Sequence, residues 1–149
     1  MRLNTTSEAI SLLRELETKS AAFYDSMARV YNSEENLFSG LAKENRKNIT
    51  NIERTYFGTI TDALEGCFAF DLDRSEYEIA DITAAGRYAD DLAAALETEA
   101  RITKFYVDAA TQSKCLMADL PRVMERIARA RGERRKKLQV LYGAAKGVS

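Results

Sequence analysis

RARGERRKKL, residues 129–138, is the stretch whose reading decides the fold. Extended in both directions, it carries a stripe at steps of three and four: Leu120, Met124, Ile127, Arg131, Arg134, Leu138 and Leu141. That spacing places all of them on one face of an α-helix. The face is apolar except in its middle, so Arg131 and Arg134 are predicted to point toward a core. The helix itself is predicted from about Pro121, a good first-turn proline capped by Asp119, to about Ala145.

Three more helices follow from the same periodicity. The first covers 5–31, opening on Thr and Ser before Glu8 and repeating through Leu13, Leu16, Ser20, Phe23 or Tyr24, Met27 and Tyr31. A short polar turn, 32–34, offers Ser33 as a cap. The second helix runs over roughly 34–64, with Phe38, Leu41, Asn45, Asn48, Ile52 and Tyr56 on its inner stripe. Residues 66–82 lose the period and gain aromatics, so they read as a connection. The third helix is predicted from about Thr83 to Ser113. Four helices, two short turns and one long central connection describe an all-α four-helix bundle over 1–149, a single domain.

The composition agrees. One Pro and seven Gly leave few breakers, and a net charge of −1 gives no global field to recruit nucleic acid or a membrane. No apolar run approaches the ~20 residues of a membrane span. MRLNTTSEAI lacks the apolar centre of a signal peptide. Cys67 and Cys115 have no metal-ligand spacing and read as reduced thiols of a cytoplasmic protein.

The chain also repeats itself. ELETKSAAFY (15–24) matches ETEARITKFY (97–106), pairing Glu17 with Glu99 and Phe23-Tyr24 with Phe105-Tyr106. Leu41-Ala42 matches Ile127-Ala128 more faintly. Two copies of one helical hairpin, about 5–65 and about 83–145, joined by a crossover at about 66–82, account for this.

Each helix brings polar residues inward near one height: Glu17, the pair Asn45 and Asn48, Glu99, and the pair Arg131 and Arg134. An ionised group buried alone costs several kcal/mol, on the order of the values that force partners on it. These residues are therefore expected to form a buried polar cluster, two carboxylates facing two guanidinium groups. The competing reading lets the long arginines snorkel past the core to surface acids. A further reading makes Arg131 and Arg134 an anion site in a central cavity.

On these residues the chain resembles the rubrerythrin-like branch of the ferritin-like superfamily, over nearly its whole length. The resemblance rests on Glu17 seven before Tyr24, Phe38 with Leu41-Ala42, Glu99 seven before Tyr106, and Ile127-Ala128. It implies a ferritin-like four-helix bundle, two irons held by a Glu from each first helix and a Glu-x-x-His from each second helix, and a homodimer or larger homo-oligomer. Glu17 and Glu99 stand at the first-helix ligand positions. The second-helix motifs are gone: LAKENRKN puts Asn45 and Asn48 there, and IARARGER puts Arg131 and Arg134 there. The chain has no histidine, and Arg cannot ligate. The expectation is a bundle without catalytic residues, cofactor or metal, serving as a structural or interaction module. The alternative is a di-iron peroxidase or ferroxidase using Glu17 and Glu99 with acids outside the usual places, such as Glu15, Glu44, Glu97 and Glu133.

The last helix is also basic, with Arg122, Arg126, Arg129, Arg135, Lys136 and Lys137. Without a nucleic-acid motif this reads as a solvated face laced by Glu125–Arg129 and Glu133–Lys137 pairs, each contributing a few tenths of a kcal/mol, about the usual i,i+4 value. Phe68, Phe70, Leu72, Tyr77 and Ile79 make the central connection unusually apolar, fit to cap the bundle end or meet a subunit.

Overall fold

The computed structural model describes residues 2–59, 70–113 and 119–147. Among them are four long helices, which we number α1 (Thr6–Val30), α2 (Glu35–Thr59), α3 (Tyr88–Ser113) and α4 (Leu120–Gly147). Two residue pairs, β1 (Arg2–Leu3) and β2 (Leu72–Asp73), add a minimal antiparallel ladder with Leu3 opposite Leu72. The described chain is otherwise all-α, and none of its helices is long and apolar enough to cross a membrane.

α1 begins where its sequence offers the first caps. Thr5 Oγ1 accepts from the Glu8 N–H at 3.2 Å, and the Glu8 carboxylate accepts from the Thr5 N–H at 3.0 Å. This reciprocal pair satisfies two of the amides that a helix start leaves open. The helix ends at Tyr31, and a single 3₁₀ turn, Asn32–Glu34, reverses the chain into α2. Ser33 lies inside that turn, and no side chain caps it. α4 starts one residue earlier than predicted, so Pro121 is its second residue. The first turn is closed by the Val123 N–H on the Asp119 carbonyl at 3.1 Å.

α1 packs on α2 and α3 on α4, and looser α2–α4 and α1–α3 contacts close the ring. The apolar stripes meet in two clusters. One joins Leu12 and Leu16 to Ile52, Phe105, Met124 and Ile127. The other joins Phe23 and Met27 to Phe38, Leu92 and Leu138. The late part of α3 thus meets the early part of α4, as in an antiparallel pair. Each fully buried Leu or Phe contributes on the order of 1.5–3 kcal/mol through burial.

The central connection lies along α1. Phe70 N–H donates to the Asn4 carbonyl at 3.0 Å, Lys19 Nζ to the Ile79 carbonyl at 3.1 Å, and Ala84 N–H to Ser26 Oγ at 2.8 Å. Its apolar residues Phe70, Leu72, Tyr77 and Ile79 are buried within the chain itself, so these four are spent on the chain's own core. Phe68 and the two cysteines lie outside the described residues. The third helix starts at Tyr88 and not at Thr83. Gly86 takes φ of +94°, a left-handed conformation that breaks a helix, and the Asp91 carboxylate gathers the Ala85 and Gly86 N–H groups and the Tyr31 hydroxyl. Residues 83–87 therefore belong to the connection.

Candidate functional site

Between the two apolar clusters lies a polar layer built from all four helices. The three- and four-residue steps of α4 bring Arg131 and Arg134 to its inner face, and packing against α3 and α2 closes over them. Arg131 is 1% exposed, and Glu17, Glu99 and Asn45 are fully buried. Neither arginine snorkels to solvent.

Arg131 is the bridge. Its Nη1 donates to Glu99 Oε2 at 2.5 Å, and its Nη2 donates to Glu17 Oε2 at 2.7 Å and to Asn45 Oδ1 at 3.2 Å. Arg134 lies beside it. Its Nη1 donates to Asn45 Oδ1 at 2.7 Å and Glu99 Oε1 at 2.9 Å, and its Nη2 reaches Glu44 Oε2 at 2.9 Å. The Asn45 amide nitrogen donates to Ser20 Oγ at 2.9 Å. Asn48 is only half-buried and donates weakly, to Glu17 Oε1 at 3.4 Å.

The tyrosines of the repeat cross over. Tyr24 of α1 donates to Glu99 of α3, and Tyr106 of α3 donates to Glu17 of α1, both at 2.7 Å. Each hydroxyl serves the carboxylate of the other hairpin. The Arg134 guanidinium also sits 5.5 Å from the centre of the Tyr24 ring.

Electrostatics follow from these contacts. Burial pushes the Glu99 carboxyl up, but Arg131 and Arg134 outweigh it and hold Glu99 below the usual carboxylate range. Burial opposes the charge on Arg131, yet Glu17 and Glu99 raise its pKa well above the ordinary value. Burial, with the facing carboxylates, lifts Tyr24 and Tyr106 well above an ordinary phenol, so both remain neutral donors. At this level two negative charges face two positive ones.

The other acids named from sequence lie elsewhere. Glu15 pairs with Arg74 and Lys19, and Glu97 with Arg101. Glu133 pairs with Lys136, three residues on, and not with Lys137. Glu44 does reach the layer, but as an exposed carboxylate on Arg134. Sequence reasoning missed that role because Glu44 lies off the apolar stripe. It also missed Ser20 as the acceptor for Asn45. All four carboxylate oxygens of Glu17 and Glu99 accept hydrogen bonds, and among the described residues no three His, Cys, Asp or Glu side chains gather to hold a metal.

A groove opens beside this layer, between α2 and α4. It has a volume of about 630 Å³ and reaches Asn48, Arg131 and Arg134 at its inner side. Compared with protein-family models, curated proteins and solved structures, the chain matches none.

Proposed function

We propose that this chain is a single ferritin-like domain of the rubrerythrin-like kind that has lost its di-iron ligands. It serves as a non-catalytic structural or interaction module, assembled as a homodimer or larger homo-oligomer. The observation that carries this reading is Arg131, held by Glu17 on one side and Glu99 on the other. A carboxylate-bridged iron pair needs several free anionic oxygens, usually with imidazole. Here the two matching carboxylates are occupied by guanidinium groups, and the chain has no histidine. Iron does not fit this donor set. The two cations supply, at fixed positions, the positive charge that two carboxylates in a core require. The long connection lying along α1 and the paired Glu and Tyr of α1 and α3 also support the ferritin-like reading.

The test is the metal content of purified protein incubated with ferrous iron in air and then desalted. The expected result is no iron above a control protein. About two irons per chain, the number such sites hold, would overturn the reading and favour a carboxylate-only oxidase or peroxidase.

A further inference from the structure

The groove between α2 and α4 borders the buried charge pairs, and its chemistry is uneven. Its apolar part is formed by Leu37, Gly40, Leu41 and Ala130. A Cβ added at Gly40 would meet no atom within 4 Å, so the groove is open above that residue. Its acids are already engaged, Glu44 by Arg134 and Glu133 by Lys136. Its two lysines are not: among the described residues neither Lys47 on α2 nor Lys137 on α4 has an ion-pair partner. Both arginines contribute to the lining, and the Nε–H of each is buried without an acceptor. A buried donor left open costs about 1–3 kcal/mol, so each of these N–H groups calls for a partner such as a water or an anion.

We infer that this groove binds a small amphipathic organic anion, its acidic head between Lys47 and Lys137 and its apolar body over Gly40, Leu37 and Leu41. The volume suits a small ligand, and a mostly apolar wall with a few convergent charges is the usual form of such a site. The head is a carboxylate or a phosphate monoester, since both meet two ammonium groups equally well. This inference does not depend on how the buried cluster arose or on any metal.

The test uses the full chain with octanoate, octyl phosphate and 1-octanol as probes, by titration calorimetry. At least one anion is expected to bind, and the neutral alcohol to bind about tenfold more weakly or worse, a difference of about 1.4 kcal/mol. The tighter of the two anions identifies the head. The double variant Lys47→Met, Lys137→Met should lose about tenfold in affinity while keeping its helical circular dichroism. Gly40→Leu leaves both lysines in place and fills the groove, so it should abolish binding in a chain that remains folded. Equal binding of 1-octanol, absence of binding by both anions, or undiminished binding in either variant would overturn the inference.

Discussion

Glu17 and Glu99 hold matched positions in α1 and α3, yet their surroundings differ. Glu99 accepts from Tyr24, Arg131 and Arg134 at 2.7, 2.5 and 2.9 Å. Glu17 accepts from Tyr106 and Arg131 at 2.7 Å each, and beyond that only from Asn48 at 3.4 Å. The difference comes from the second helices. α4 supplies two guanidinium groups, and α2 supplies two amides at the corresponding places. The repeat keeps its acceptors and places all of its buried cationic donors on one hairpin. Burial alone therefore does not set how well a carboxylate is held; the helix across from it does.

The comparison can be broken most directly at the bridge. Arg131→Ala removes the donor common to both carboxylates and leaves them facing each other in the core. It should destabilise by about 3–5 kcal/mol, read from urea unfolding. A loss under about 0.5 kcal/mol would mean that Arg131 is a surface residue in solution.

Glu99→Gln and Glu17→Gln sharpen it. The first takes the charge of one buried partner from both Arg131 and Arg134, whereas the second takes it from Arg131 alone. Glu99→Gln should be the costlier by about 1 kcal/mol, and equal costs would remove the asymmetry. Acid probes Glu99 as well. The native Glu99 pKa is depressed, so the unfolded state binds more protons between the two values. Its contribution is present above the unfolded value of about 4.3 and is lost as pH falls through the lower native value. The fall in urea midpoint below about pH 4.3 should be shallower in Glu99→Gln than in the parent chain.

The tyrosines reverse the order. Tyr106→Phe takes one of the two short bonds to Glu17, whereas Tyr24→Phe leaves Glu99 with both arginines. The cost should be about 1.5–3 kcal/mol for Tyr106→Phe and smaller for Tyr24→Phe, by thermal and urea unfolding together. Smallest of all is Asn48→Ala, because a 3.4 Å bond from a half-buried amide is weak. Its change should stay within about 0.5 kcal/mol, and a larger one would give Glu17 a stronger third donor than the geometry provides.

The helices, the inward arginines and the height at which polar residues converge were all legible from steps of three and four. Arg131 and Arg134 stood in an apolar stripe, and that position alone predicted their burial. The start of α3 was not legible, since residues 83–87 are compatible with a helix. The φ of Gly86 and the reach of Asp91 are tertiary choices. The β1–β2 ladder was too short for any period to reveal. Asn48 is less buried than its stripe implied because it lies where α2 and α4 part to form the groove. Glu44 and Ser20 were missed as partners because long-range hydrogen bonds leave no periodic trace.

The crossed tyrosines and the one-sided arginines have a consequence for how the two halves find each other. Two copies of α1–α2 brought together would pool two buried glutamates with no cation to meet them. Two copies of α3–α4 would pool four arginines against two glutamates. Only one hairpin of each kind gives a layer with two carboxylates against two guanidinium groups, and with the Tyr24 and Tyr106 hydroxyls each on a carboxylate of the other hairpin. Both like-with-like assemblies leave unpaired charge in a dry core, a cost that discriminates between partners more sharply than apolar packing does. The buried layer thus favours the pairing of unlike hairpins, and their alignment, over either like pair.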